Sequence, residues 1–251
     1  MTKMIMSGCN GRMGRMITSL VEKDPEIEIV AGIDKFTAVE NSYPVFDSVD
    51  KCDVEADVIV DFSLPSGTDA LLDHAVERNI PLVLCTTGLT EEQIEKVKKS
   101  SEKIAVLRSA NMSVGVNVLL KVLSEVAPKL AEAGFDIEIV EKHHNQKKDA
   151  PSGTAIALAD AINSSMGNSY EYVYDRSSRS EARPEKEIGI SAVRGGTIPG
   201  DHDVIFAGED EVITFSHRAY SRAIFGKGAI AAAKYLGGKP AGMYDMSDVL
   251  A

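Results

Sequence analysis

The chain has 251 residues, with 27 basic and 38 acidic side chains and a formal net charge of −11 at pH 7. Hydrophobic residues at 44% and charged residues at 26% suit a folded core and exclude a chain disordered by composition; at roughly 150 residues per domain, one large domain or two modest ones are expected. The acidic balance argues against a nucleic-acid or anionic-membrane partner, but not against an anionic small molecule, which responds to its pocket rather than to the total. Cys9, Cys52 and Cys85 include no C-x-x-C pair, so neither a disulfide framework nor a structural zinc is expected. No apolar run approaches the roughly 18–20 residues that span a bilayer, and no leader pattern follows Met1, so a cytoplasmic protein is expected.

The first half alternates short apolar runs with helical patterns. Strands are expected at 4–6, 27–33, 58–60, 82–84 and 104–107, and helices at 12–22 and 65–78. Thr90-Glu91-Glu92-Gln93 fits a capping box and predicts a third helix start. Continuously apolar strands separated by helices imply a parallel sheet covered on both faces. After about Ser113 the pattern changes. A long helix is expected at 116–130, strands at 136–140, 188–193, 204–207 and 212–215, and an alanine-rich helix at 224–236. Gly208-Glu209-Asp210 reads as a hairpin loop, and strands without intervening helices suggest a mixed or antiparallel sheet. Residues 164–187 are polar and weakly patterned, and read as a long loop with short structure.

The predicted fold is α/β, a parallel sheet covered by helices followed by a smaller α+β unit with a mixed sheet. Gly8-Cys9-Asn10-Gly11-Arg12-Met13-Gly14 follows the first strand and opens the first helix, with spacing G-x-x-G-x-x-G. Glycine permits a tight turn and close backbone approach to a pyrophosphate, whose charge meets the helix N-terminus. Arg12 adds a cation. A turn needed only for helix–strand packing is the alternative. Asp34 ends the second strand, 20 residues after Gly14, where an acid takes ribose hydroxyls. Lys35 follows it and can accommodate the extra phosphate of NADP, so both NADH and NADPH are candidates. Asp61-Phe62-Ser63, Cys85-Thr86-Thr87-Gly88 and Ser109-Ala110-Asn111-Met112 fall where further parallel strands should end, and suit the nicotinamide half.

The densest polar run is Glu141-Lys142-His143-His144-Asn145-Gln146-Lys147-Lys148-Asp149, followed by Ala150-Pro151-Ser152-Gly153-Thr154-Ala155. It reads as a positive patch joined to a helix start whose N–H groups and hydroxyls suit a carboxylate. Histidine and lysine are the natural proton carriers near neutral pH. A metal site is not expected, because adjacent strand residues point to opposite faces and no third ligand is evident. A solvated charge run is the blander alternative. Arg194-Gly195-Gly196-Thr197-Ile198-Pro199-Gly200-Asp201-His202 and His217-Arg218-Ala219-Tyr220-Ser221-Arg222 could line an anionic pocket or anchor a subunit contact.

On these residues the chain resembles the 4-hydroxy-tetrahydrodipicolinate reductase (dihydrodipicolinate reductase) family over essentially its whole length. The glycine turn matches G-x-x-G-R-M-G, and residues 141–155 match E-x-H-H-x-x-K-x-D-A-P-S-G-T-A. Residues 194–202 match R-x-G-x-x-x-G-x-H, and Tyr244-Asp245-Met246 is also shared. The resemblance implies NAD(P)H-dependent reduction of a cyclic dicarboxylate in the diaminopimelate route to lysine. It implies His143 as proton donor or acceptor, Lys147 as proton donor, His144 as a substrate contact, and a carboxylate held by Gly153 and Thr154 beside Ser152. Residues 8–13, Asp34, Lys35, Cys85, Thr86, Thr87 and Ser109, Ala110, Asn111 and Met112 would bind cofactor. It further implies a Rossmann-type domain at 1–113 and 222–251, and a substrate domain at 114–221 that makes a homotetramer. Cys85 departs from a frequent glycine and Tyr235 from a common tryptophan. Two readings of other classes are another two-domain NAD(P)-dependent dehydrogenase and a dinucleotide sensor without activity. The first, as a semialdehyde dehydrogenase, would want a cysteine after the cofactor domain, and no cysteine follows Cys85.

Overall fold

The computed structural model describes residues 1–174 and 176–251. The chain forms two compact units, Met1–Val114 with Ala223–Ala251, and Gly115–Arg222. The first holds β1 (Thr2–Ser7), α1 (Arg12–Val21), β2 (Ile27–Ile33), β3 (Val45–Phe46), β4 (Val58–Asp61), α2 (Thr68–Glu77), β5 (Leu82–Leu84), α3 (Glu91–Ser101) and β6 (Ala105–Leu107). The second holds all but the first residue of α4 (Val114–Glu132), then β7 (Asp136–His143), α5 (Gly153–Ser165), β8 (Glu171–Val173), β9 (Glu187–Arg194), β10 (Asp201–Ala207) and β11 (Val212–Arg218). The chain then returns to the first unit with α6 (Ala223–Leu236), β12 (Gly242–Tyr244) and α7 (Met246–Val249).

The first sheet has seven strands in the order β12-β6-β5-β4-β1-β2-β3, all pairs parallel. Its strands are apolar on both faces because helices cover both. Met4 and Met6 of β1 pack with Ile17 and Val21 of α1 and with Ala229 and Ala233 of α6, while Ile5 faces Leu72 and Ala75 of α2. Strand order reverses at β1, which is flanked by β2 and β4, and in open parallel sheets ligands bind outside the carboxyl ends of the strands at such a reversal. The capping box is present at Thr90 and Gln93, and α3 starts at Glu91.

The second sheet is mixed, in the order β11-β10-β7-β9-β8, with β7 antiparallel to β10 and parallel to β9. One face packs Ile137, Ile139, Ile188, Ile190, Val204 and Phe206 against Leu123 and Ala127 of α4 and Leu158, Ala159 and Ile162 of α5. The expected strand at 136–140 runs three residues further, to His143. The alternation simply continues, with Ile137, Ile139, Glu141 and His143 all buried. Glu141 is a carboxylate on an otherwise apolar face, and it has partners there. The polar stretch 164–187 contains the short β8, and Arg176, Arg179 and Arg183 tie it to Glu187, Glu138 and Asp136; Asp175, within it, lies outside the described residues. The two-residue β3 and three-residue β12 were not foreseen, since they are sheet-edge pairings too short for a hydrophobic pattern.

Candidate active site

In the first unit the glycine turn sits at the strand-order reversal. Gly8 adopts φ +76°, and a Cβ there would lie 2.7 Å from the Phe62 carbonyl oxygen. A Cβ at Gly14 would lie 2.2 Å from the Gly8 oxygen, so this glycine lets α1 close onto its own turn. Gly11 is exposed and caps α1 without a side-chain hydrogen bond, and no acidic residue occupies the first turn. Two glycines therefore serve the turn, and the third leaves a helix N-terminus open. That arrangement fits a bound pyrophosphate.

Asp34 lies against this turn. Its Oδ2 accepts the Asn10 N–H at 3.0 Å and its Oδ1 the Phe36 N–H at 3.0 Å. Asn10 in turn donates to the Phe36 carbonyl and accepts from Asn41, which fastens the loop after β2 to the turn. Lys35 and Arg12 are exposed, and Met13, next to Arg12 in sequence, is half-buried. These residues fit a dinucleotide.

Several side chains expected at the cofactor are engaged within the protein itself. The Cys9 side chain is buried against Gly32 and Tyr43, and burial, with Asp34 next, pushes its thiol up to about 11. Cys85 packs its side chain onto the core of the first unit. The Thr86 hydroxyl donates to the buried Asp61 carboxylate at 2.5 Å, while Thr87 beside it is exposed. The hydroxyl expected for a ligand is therefore already engaged. Met112 is buried, and a Cβ at Gly228 of α6 would strike its carbonyl oxygen at 1.6 Å. Asn111 turns back to accept the Ser113 N–H at 2.8 Å, with Ser109 half-buried and Ala110 exposed before it.

In the second unit the carboxyl end of β7 gathers the signature. Glu141, fully buried, accepts two hydrogen bonds from Arg194, each at 2.7 Å. Its Oε2 also meets His143 Nδ1 at 2.6 Å, and its Oε1 the Ser152 N–H at 2.9 Å. Burial raises the Glu141 carboxyl, but the bonds from Arg194, His143 and Ser152 outweigh it and leave it below its ordinary value. Glu141 is therefore a carboxylate, which can only accept, and the proton of neutral His143 must sit on Nδ1. Burial holds the His143 pKa below 6.5 against the pull of Glu141. At neutral pH its Nε2 thus offers a lone pair.

Ser152 is the N-cap of α5, accepting the Ala155 N–H at 3.1 Å, and its Oγ lies 3.0 Å from His202 Nε2. Gly153 is exposed, with nothing within 4 Å of where a Cβ would sit, and Thr154 follows it half-buried. Lys147 Nζ lies 2.8 and 2.9 Å from the two Asp149 oxygens. His144 is half-buried, its N–H donating to the Ile198 carbonyl. The expected positive patch is therefore largely paired, since Lys142 meets Asp203, Lys147 meets Asp149 and Arg194 meets Glu141.

A family model described as dihydrodipicolinate reductase, N-terminus, matches residues 2–112, and one described as dihydrodipicolinate reductase, C-terminus, matches residues 115–250. The chain belongs to the dihydrodipicolinate reductase family. It is 52% identical over 250 residues to the 4-hydroxy-tetrahydrodipicolinate reductase of Caldanaerobacter subterraneus subsp. tengcongensis, covering 100% of this chain and 98% of that one. It is 48% identical to the protein of the same name from Clostridium tetani, covering 100% and 97%. The fold is similar to that of dipicolinate-bound dihydrodipicolinate reductase from Paenisporosarcina sp. TG-14, with TM-score 0.81, 24% identity and coverage of 98% and 97%.

Within this family member, the residues that sequence reasoning passed over are those that hold the signature in place. Glu141 figured only as the first residue of the polar run and of the signature, with no role of its own. Arg194 was expected to face an anion or a subunit, and instead its guanidinium closes on Glu141 and on the Asp149 carbonyl. His202 stands opposite Glu141 in the β10–β7 register, and its ring packs edge-on to His143 with centroids 5.2 Å apart. A period-2 count carried past Val140 would have placed Glu141 inside and demanded a cation for it.

Proposed function

We propose that the protein reduces 4-hydroxy-tetrahydrodipicolinate to tetrahydrodipicolinate with NADH or NADPH, as a cytoplasmic step of lysine and diaminopimelate biosynthesis. The observation that carries this reading is the Glu141–His143–Ser152 constellation within the family signature, in a chain whose first unit has an open α1 N-terminus beside Asp34. The cofactor, when bound, supplies the hydride. The Gly8–Gly14 turn holds the pyrophosphate through backbone N–H groups, and Asp34 takes the ribose. At the other site the first turn of α5, at Gly153 and Thr154, receives a substrate carboxylate.

Reduction of a conjugated imine leaves an electron pair that must be met by positive charge and a proton. Lys147 is the group for that task, as an ammonium now held by Asp149. His143, neutral with its Nε2 lone pair outward from Glu141, takes up or relays a proton. Lys147→Ala should lower turnover by about 10²–10⁴-fold, the usual size of a general acid–base contribution, while NADH affinity stays within a few fold. Turnover within a few fold of wild type on enzymatically generated substrate would remove Lys147 from the mechanism. Complete absence of NAD(P)H oxidation by the unaltered protein, with NADH still binding, would favour the sensor reading.

We also infer a homotetramer built on the second sheet. Its face away from α4 and α5 carries Val140, Ile205, and the exposed Val193 and Val212. Light scattering that gives the mass of one or two chains would exclude it.

A further inference from the structure

Four consecutive strands of the second sheet, β11, β10, β7 and β9, place ionisable groups on its inner face. Register sets Glu141 of β7 opposite His202 of β10, and His202 opposite His217 of β11. On the other side, His143 stands opposite Arg194 of β9. Glu141 is the carboxylate among them, and its two oxygens reach three separate partners. Through Oε2 it holds His143, through Oε1 the backbone N–H of Ser152 at the start of α5, and through both it holds Arg194. Arg194 also donates to the Asp149 carbonyl at 2.7 Å, on the segment that carries Lys147. The eight residues between His143 and Ser152 are thus pinned at both ends to one carboxylate.

We propose that Glu141, clamped by Arg194, is a positioning residue that fixes the proton of His143 on Nδ1 and anchors the first turn of α5 at a set place beside it. The inference rests on the reading of His143 as a proton carrier and of α5 as the carboxylate site. A glutamine at position 141 cannot do the same work. Its amide NH₂ would face either the Ser152 N–H, donor against donor, or His143 Nδ1, which it can satisfy only if the ring proton moves to Nε2. In the second arrangement the lone pair offered to substrate becomes a donor. Arg194 loses a charge partner in both. The charged or titratable groups facing His143 are Glu141 on its own strand, Arg194 from β9, His202 from β10, and Lys147 from the following loop, and all but Glu141 disfavour a second proton on the ring.

The test combines Glu141→Gln, Glu141→Asp, His143→Ala and the double variant Glu141→Gln/His143→Ala in steady-state assays with both substrates varied. Glu141→Gln should lower kcat by about tenfold or more and move the acid limb of its pH profile, with partial recovery in Glu141→Asp and an unchanged KM for NAD(P)H. In the His143→Ala background the same change should leave kcat within about threefold but still raise the KM for the dicarboxylate, because the Ser152 anchor is lost separately. Multiplicative losses of kcat in the double variant would overturn the proposal. A fully active His143→Ala enzyme would instead overturn the reading of His143 itself. Should Glu141→Gln fail to fold, ¹⁵N NMR of the unaltered protein decides the matter: His143 must carry its proton on Nδ1 at neutral pH, and an Nε2–H ring would refute the assignment.

Discussion

His202 should make this protein sensitive to mild acid in a way that can be isolated. The ring is buried, its Nε2 faces Ser152 Oγ, and its Nδ1 has no hydrogen-bond partner among the described residues. Burial first, then the neighbouring His143, lowers its pKa from 6.5 to about 4, against a smaller opposing pull from Glu141. A histidine with a depressed folded value binds its proton more readily when unfolded, so between these two values stability rises with pH and is lost as pH falls. From those values the loss through His202 alone, relative to neutral pH, is about 2 kcal/mol near pH 5 and about 3 kcal/mol near pH 4. His202→Gln keeps a group able to bond Ser152 but removes the titration. Carboxylates elsewhere titrate equally in both proteins and cancel in the difference. The chain has no tryptophan, so urea unfolding is best followed by far-ultraviolet circular dichroism, at one protein concentration across the pH range. The variant's stability should fall less steeply than wild type below about pH 6.5, by the amounts above. Parallel curves would refute the reasoning and mean that His202 is solvated or already partnered in the folded protein.

Two further outcomes follow from the first unit. Gly14→Ala places a Cβ 2.2 Å from the Gly8 oxygen and 2.5 Å from the Cys9 oxygen, so thermal unfolding should show a loss of about 1–3 kcal/mol or more. Gly11→Ala, whose Cβ meets only the Gly8 oxygen at 3.2 Å, should fold and yet bind NADH more weakly; equal thermal losses for the two would contradict these roles. Asp34→Ala removes the proposed ribose acceptor and leaves Lys35, so the ratio of kcat/KM for NADPH over NADH should rise by about tenfold or more, the worth of a charged hydrogen bond. An unchanged ratio would mean that Asp34 serves only Asn10 and Phe36.

What could be read from the sequence was whatever the backbone demands locally. Gly8, Gly11 and Gly14 announce a strand–turn–helix because the left-handed conformation and the close turn admit little else. Thr90 and Gln93 announce a helix start because their bonds span three residues. The Glu141–Arg194 pair spans 53 residues and is made by the β7–β9 register, which no local pattern specifies. Asp61 with Thr86 is a second case, joining the ends of β4 and β5 through side chains 25 residues apart. Sequence reasoning therefore singled out the glycine turn and the signature segment but misjudged which polar groups were free. Thr86 and Arg194 looked available and are engaged.

The basic runs overstated the free positive charge, since a run counts cations without their partners. Lys142, Lys147 and Arg194 are all paired, and among the described residues Arg12, Lys35 and Lys148 have no carboxylate within salt-bridge distance. These pairs are not equivalent. Arg194 closes on a carboxylate with no exposure, and separating such a pair would leave a buried charge uncompensated, at about 3–5 kcal/mol. Lys147 pairs with Asp149, whose side chain is 60% exposed. An exposed pair of that kind is worth about 0–1 kcal/mol, so its exchange for a substrate group costs little. The burial of each carboxylate thus separates the cation fixed in the structure, Arg194, from Lys147, the one proposed to act on substrate.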